Sequence, residues 1–244
     1  MTPKFEINVR GQENKRVVFL LAGWGIPIWI HWPPAKFLSD HGFCCITYAY
    51  DYDVCSADPK ETVPFLTSVR DDILHRIRQL KREGHRDFSV FGSSLGSVVA
   101  LMVANSSPDV SRIVLNTAGA DPAEILWTSR WHKLSKLKER LEKEGMTLGR
   151  LRELWAPVDP INNIDHLDGK HLLVCLSKPD HVISYSLGEE LVRELKRIGS
   201  DCRVTVNEHL GHVETAAYNL LKIDSYLPFL KGEYDQFDNG LKDH

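Results

Sequence analysis

The segment GSSLG (92–96) contains the residues of this chain best suited to nucleophilic chemistry. Glycines two positions before and two positions after Ser94 complete the pattern Gly-x-Ser-x-Gly, whereas Ser93 has Phe91 and Leu95 at those positions. An apolar strand-like run precedes the segment and a helical run follows it. In that context the central serine lies at the tip of a tight turn with an exposed hydroxyl. We therefore predict Ser94 as the nucleophile and Ser93 as a turn residue.

A serine hydroxyl is a weak nucleophile until a neighbouring base accepts its proton. The chain has eleven histidines, so residue type alone selects none of them. His212 stands directly after Gly211, where the loop that follows the last predicted strand passes into a helix. His209, in the same loop, is interpreted as a solvent-exposed residue. We predict His212 as the general base.

A histidine base needs an acid to fix its tautomer and to stabilise the imidazolium ion. Asp180 follows a buried strand by three residues in "LLVCLSKPD", at the strand's carboxyl end. The carboxyl ends of parallel strands form the edge where open sheets bind ligands. Asp121 follows the preceding strand and is the rival candidate. We favour Asp180 as the acid.

The turn in "FLLAGWG" (19–25) is a candidate for the oxyanion hole, because a glycine-flanked turn there ends a central strand. The backbone N–H of Trp24 can point at the substrate oxygen, and the N–H of Leu95 would be the second donor. The alternative interpretation is an ordinary turn in which Trp24 packs against a loop.

Strand-like and helix-like segments alternate along the chain, which predicts an α/β fold with a mainly parallel, twisted sheet covered by helices on both faces. The first strand alternates polar and apolar residues, as an antiparallel edge strand does. Strands are predicted at 4–9, 16–23, 43–51, 87–92, 110–118, 170–177 and 202–208. Helices are predicted at 62–84, 95–105 and 184–199 and within 213–230. We read residues 1–244 as one domain with a sheet of seven to eight strands.

About fifty residues separate two neighbouring predicted strands, near Thr117 and His171, although a crossover needs only about a dozen. We interpret 121–160 as a small helical insertion. Its segment 129–145 has one apolar face and is either a lid over a pocket or a solvated helix packed on one side. The tryptophans of this region either form the walls of an acyl pocket or pack beneath the insertion: Trp127, Trp131 and Trp155.

Composition excludes several classes of function. The net charge is −3, which gives no basic surface for nucleic acid, and no apolar run is long enough to span a membrane. The N-terminal segment lacks the apolar core of a signal peptide. The five cysteines form no CxxC pair, and they are interpreted as small buried hydrophobes in a reducing cytoplasm. We expect a cytoplasmic protein with neither a metal nor an organic cofactor.

The motifs "LLAGWG", "GSSLG", "SKPD" and "LGH" occur in this order along the chain, and the last three contain Ser94, Asp180 and His212. In these motifs and their order the chain resembles the α/β-hydrolase family from Phe5 to about Phe229. The resemblance implies a sheet of about eight strands, against seven counted here. It also implies roles for the residues named above, with Ser94 as nucleophile, Asp180 and His212 as its partners, and the Trp24 and Leu95 amides as oxyanion donors.

Two motifs depart from the pattern of many family members. Ala22-Gly23 stands where these members have His-Gly, and "YDYDVCSADP" (50–59) stands where they have Asp-x-x-Gly-x-Gly. The elbow carries serine, whereas an aspartate would indicate a dehalogenase or an epoxide hydrolase.

The function expected is a serine hydrolase that cleaves a small carboxylic ester or thioester through an acyl-enzyme. An acyltransferase or a peptidase with the same triad, and a non-catalytic ligand-binding protein on the same fold, are the alternatives. The sequence does not determine the oligomeric state.

Overall fold

The computed structural model describes residues 5–50 and 58–234. Its single sheet has seven strands in this part of the chain, equal to the number counted in the sequence. The strands are β1 (Phe5–Arg10), β2 (Arg16–Leu21), β3 (Phe43–Tyr50), β4 (Phe88–Ser93), β5 (Val110–Asn116), β6 (His171–Ser177) and β7 (Asp201–Asn207).

Helices precede or follow most strands in the described ranges. They are α1 (Trp32–Asp40), α2 (Pro59–Arg82), α3 (Leu95–Ser106), α4 (Pro122–Thr128), α5 (His132–Lys143), α6 (Leu148–Trp155), α7 (Tyr185–Arg197), α8 (His212–Leu221) and α9 (Leu227–Lys231). Short 3₁₀ turns lie before α1, after α6 and between α8 and α9.

The strand order is β1-β3-β2-β4-β5-β6-β7, with β1 antiparallel to β3 and every other pair parallel. The central strands are apolar and buried along almost their whole length, because helices cover both faces of the sheet. The predicted α/β class and the antiparallel edge strand are confirmed. One consequence decides the position of the site: the carboxyl ends of β2, β4, β5, β6 and β7 all lie at one edge.

The sequence patterns missed α1, α4 and α6. These helices have nine, seven and eight residues, too few turns to show a clear apolar period, and α1 has a proline pair in its first turn. Helix α2 begins three residues before the predicted start at residue 62, because Asp58 caps it by accepting a hydrogen bond from the Lys60 amide. The helix predicted within 213–230 is two helices separated by a 3₁₀ turn at Ile223–Tyr226.

The residues between β5 and β6 include α4, α5 and α6. The apolar face predicted for 129–145 lies on α5, where Leu134, Leu137 and Leu141 are buried in the main hydrophobic core. Cys44, Cys45 and Cys175 are buried, as predicted, whereas Cys202 on the edge strand β7 is only half-buried. Cys55 and most of the motif "YDYDVCSADP" lie outside the described residues.

None of the described helices is long and apolar enough to cross a membrane.

Candidate active site

The elbow between β4 and α3 holds Ser94 in a strained conformation. Its backbone angles are φ 51° and ψ −117°, a region that residues other than glycine rarely occupy. A Cβ on Gly92 would lie 2.3 Å from the Gly96 carbonyl oxygen, and a Cβ on Gly96 would lie 2.2 Å from the Leu21 carbonyl oxygen. Glycine is therefore required on both sides of Ser94, because the turn packs directly against its own helix and against β2.

Ser94, His212 and Asp180 form one chain of hydrogen bonds. His212 Nε2 lies 3.0 Å from Ser94 Oγ, and His212 Nδ1 lies 2.6 Å from Asp180 Oδ2. An ionised carboxylate only accepts hydrogen bonds, so Nδ1 carries the proton and Nε2 presents its lone pair to the serine hydroxyl. This arrangement can take a proton from Ser94 without rearrangement of the imidazole.

Asp180 is fixed by its own loop. Its Oδ1 accepts hydrogen bonds from the amides of Val182 and Ile183, both at 2.8 Å, which leaves Oδ2 for the histidine. The Asp180 side chain is only 4% exposed, so water competes little for the histidine bond.

Asp121, the rival acid, turns away from this chain. Its Oδ1 caps α4 by accepting a hydrogen bond from the Glu124 amide, and its Oδ2 accepts from Arg152 Nε at 2.6 Å. The ion pair links α4 to α6 within the segment between β5 and β6. The structure therefore brings Asp180, and not Asp121, to His212.

The turn after β2 lies against the nucleophile. A Cβ on Gly23 would come within 3.4 Å of Ser94 Cβ, so the Trp24 backbone begins beside the serine. Leu95 follows Ser94 directly as the first residue of α3. The Trp24 ring packs edge-on against Trp131, with ring centroids 5.5 Å apart. The two predicted oxyanion donors thus flank Ser94, and the Trp24 side chain meets the insertion.

A buried amide pair that the sequence analysis did not single out joins the elbow to α8. Asn116, at the end of β5, donates hydrogen bonds from Nδ2 to Ser93 Oγ and to the Ala216 carbonyl oxygen. Asn219 of α8 donates to Asn116 Oδ1 at 2.7 Å. Since α8 begins at His212, this pair fixes the base relative to the nucleophile. The signal in the sequence that could have found this pair is Asn116, a polar residue at the end of an apolar strand.

Ser94 and His212 open into a cavity of about 400 Å³ with predominantly apolar walls. Helix α3 contributes Val98 and Leu101, and the segment between β5 and β6 contributes Ile125, Leu134 and two tryptophans. Of the three tryptophans that the sequence suggested as walls, Trp131 and Trp155 line the cavity. Trp127 lies elsewhere, with the Lys138 ammonium 5.7 Å from the centre of its ring.

His31 also lines this cavity, and the sequence offered no motif that marks it. The side chain is 1% exposed, and neither ring nitrogen has a hydrogen-bond partner in the described part of the chain. Burial lowers the pKa of His31 to about 4, because the charged imidazolium loses its hydration there. The imidazole is therefore neutral at neutral pH.

Comparisons with known proteins agree with this geometry. The family model described as "Prolyl oligopeptidase family" matches residues 67–236, whereas curated protein sequences give no significant match.

Three solved structures illustrate the structural likeness. An esterase from Pyrococcus furiosus has a TM-score of 0.62 at 16% identity, with 91% of this chain and 84% of that chain covered. A serine hydrolase from Cycloclasticus zankles has a TM-score of 0.61 at 16% identity, covering 96% and 97%. An acylaminoacyl peptidase from Pyrococcus horikoshii has a TM-score of 0.65 at 12% identity, covering 89% of this chain and 37% of that chain.

At these identities the solved structures establish the fold. The family model extends over more than half of the chain and includes all three residues of the hydrogen-bonded chain. The chain belongs to the prolyl oligopeptidase family and is a serine hydrolase with the α/β-hydrolase fold.

Proposed function

We propose that this protein hydrolyses carboxylic esters or thioesters through an acyl-enzyme on Ser94, with His212 as the base and Asp180 as its orienting acid. The observation that carries the proposal is the unbroken hydrogen-bond chain from Ser94 Oγ to Asp180 Oδ2, which opens into an apolar cavity. The esterase from Pyrococcus furiosus among the similar solved structures supports the same class.

In the first half of the reaction, His212 Nε2 accepts the Ser94 proton as Oγ attacks the carbonyl carbon. The oxyanion that forms is held by the backbone amides of Trp24 and Leu95. Asp180 stabilises the imidazolium ion without taking its proton. When the tetrahedral intermediate collapses, His212 gives the proton to the departing alcohol or thiol, and the acyl group stays on Ser94.

In the second half, a water molecule takes the place of the leaving group. His212 removes a proton from the water as its oxygen attacks the acyl carbon, and the same amides hold the second oxyanion. Collapse of this intermediate returns the proton to Ser94 Oγ and releases the carboxylic acid. Every proton passes through one imidazole nitrogen, so the cycle requires only the tautomer that Asp180 fixes.

The walls of the cavity favour an uncharged acyl chain. No aspartate or glutamate is among the described residues that line it, and Lys133 is the one cation among them. A chain of methylene groups gains free energy on transfer into such a site, at about 0.8 kcal/mol per buried CH₂. We expect medium-length acyl chains to be preferred over acetyl groups.

Peptide hydrolysis is the second candidate, and the family match favours it specifically. The same triad can cleave an amide, because only the leaving group differs. A matched set of p-nitrophenyl esters and p-nitroanilides with identical acyl groups separates the two activities. A higher kcat/KM on the anilide than on the matched ester, once corrected for their intrinsic reactivities, would replace the ester proposal with the peptidase.

The nucleophile itself is tested with a fluorophosphonate probe. We expect the folded wild-type protein to be labelled and Ser94→Ala to remain unlabelled. Ser93→Ala is the matched control, since it removes the neighbouring hydroxyl, leaves Ser94 in place and leaves Asn116 its hydrogen bond to the Ala216 carbonyl oxygen. A folded wild-type protein that is never labelled, together with no turnover of any ester, would favour the non-catalytic alternative.

A further inference from the structure

Among the described residues that line the cavity, His31 is the buried titratable side chain that the proposed mechanism leaves unused. His31 ends the 3₁₀ turn Ile28–His31 and lies at the N-terminal end of α1. It lines the same cavity as Ser94 and His212. A buried imidazole without a hydrogen-bond partner is unfavourable by roughly 1–3 kcal/mol, so its presence calls for a partner that the described residues do not provide.

Prolines on both sides of His31 restrict its backbone. Pro27 precedes the 3₁₀ turn, and α1 begins with a proline in its first turn directly after His31. Proline fixes φ near −65°, so this segment has little freedom to carry the imidazole to another protein partner. A partner that arrives through the cavity requires no such movement.

The charge of the site limits what that partner can be. The imidazole is neutral at neutral pH because of its burial, and a neutral imidazole has one donor and one acceptor nitrogen. A substrate carboxylate would be buried among apolar walls without a charged partner at His31, which is strongly unfavourable. Lys133, the one cation among the described residues that line the cavity, has an exposed side chain, and protonation of His31 to pair with a carboxylate is opposed by its burial. The site therefore favours an uncharged group at His31.

A hydroxyl can bond whichever ring nitrogen faces it, because it can donate to the bare nitrogen or accept from the protonated one. A ketone or an ether only accepts, so it can bond only the protonated nitrogen. The acyl group stays in the cavity through both halves of the reaction, since it is bonded to Ser94 in between. A hydroxyl on the acyl chain can thus contact His31 throughout the cycle.

We propose that His31 is a specificity-determining residue that hydrogen-bonds a hydroxyl group on the acyl chain, so that the preferred substrates are esters of hydroxylated carboxylic acids. This inference rests on the proposed function, since it names the substrate class of the same site. It goes beyond that function by predicting a polar requirement within a predominantly apolar cavity.

The test uses matched pairs of p-nitrophenyl esters with four, six and eight carbons in the acyl chain. One member of each pair carries a terminal hydroxyl and the other does not. For wild type we expect kcat/KM to favour the hydroxylated ester at one or more lengths by at least about tenfold, the size of one satisfied buried hydrogen bond. In His31→Leu this ratio should fall to about one or below, and in His31→Gln, which keeps a donor and an acceptor, part of it should remain.

His209→Leu is the matched control, because His209 is an exposed loop histidine on the approach to α8. It should keep both the wild-type ratio and the wild-type rates. A wild-type ratio near one at every length overturns the role of His31, and so does a ratio that His31→Leu leaves unchanged. If His31→Leu fails to fold, His31→Gln carries the comparison, and a ratio that His31→Gln leaves unchanged overturns the role of His31, as does a wild-type ratio near one at every length.

The two proposals fail in different ways in this experiment. Turnover of the plain esters without any preference for hydroxylated ones supports the esterase and removes the inference. If no ester is turned over, the proposed function and the inference that rests on it are both overturned.

Discussion

Two buried histidines line the same cavity and differ in almost every respect that matters for chemistry. His212, at the start of α8, has a partner on each ring nitrogen, Asp180 on one side and Ser94 on the other. His31, before α1, is buried to a similar degree and has no partner on either nitrogen among the described residues. The difference shows that burial in a cavity does not by itself make a histidine a base.

Two features of the surroundings produce this difference. The loop before α8 is held by Asn207, whose side chain accepts hydrogen bonds from the amides of His209 and Leu210, and Asp180 comes from the loop after the neighbouring strand. The loop before α1 is held by prolines, which fix the backbone and offer no donors. One loop thus positions a histidine for proton transfer, and the other leaves a neutral imidazole without a hydrogen-bond partner among the described residues.

The largest expected effect comes from removing the partnered histidine. His212→Gln should lower kcat/KM for p-nitrophenyl hexanoate by about 10⁴-fold or more, because Ser94 loses its base. His209→Gln, three residues earlier and exposed, should stay within about threefold of wild type. Steady-state kinetics on folded variants provides the measurement. Comparable losses in both variants would mean that the loop, rather than the His212 imidazole, is what the reaction needs.

The next effect separates the two aspartates. Asp180→Asn should lower kcat by about 10³–10⁴-fold, because an amide no longer fixes the Nδ1–H tautomer or stabilises the imidazolium ion. Asp121→Asn weakens the partly exposed pair with Arg152 and should change kcat by less than about threefold, with a loss of stability of about 1 kcal/mol or less. The reverse ranking of the two variants would move the acid to the loop after β5.

The sequence could predict those residues of the site that stand in a recognisable local motif. Ser94, Asp180 and His212 each stand at a strand end in a short motif, and the parallel sheet brings strand ends together whatever the details of packing. The choice of Asp180 over Asp121 rests on hydrogen bonds to Val182, Ile183 and Arg152, which only the folded chain shows.

Two other parts of the site leave no recognisable motif in the sequence. The Asn116–Asn219 pair joins residues 103 positions apart, a separation that no local pattern encodes. His31 stands in the segment "IPIWIHWPP", where its burial is set by the packing of a 3₁₀ turn too short to show periodicity. The fold class and strand order were therefore accessible from patterning, whereas short helices and lone buried polar residues were not.

The last prediction concerns stability and tests the unpartnered state of His31 without any substrate. The pKa of His31 is about 4 in the folded protein, against 6.5 for an unperturbed histidine. Between these pH values the unfolded chain binds a proton that the folded protein does not, so the free energy of unfolding must fall as the pH is lowered through this range. From pH 7 to pH 4.5 this one group should lower the free energy of unfolding by about 2–3 kcal/mol.

Urea unfolding at pH 7 and pH 4.5 measures this loss, and the comparison between variants isolates His31 from the carboxylates that titrate in the same range. His31→Leu should lose about 2–3 kcal/mol less than wild type over that interval, whereas His209→Leu should follow wild type. Equal losses in all three proteins would mean that His31 is hydrated or partnered in solution. That result would remove the physical contrast with His212, and with it the reason to expect a substrate hydroxyl at His31.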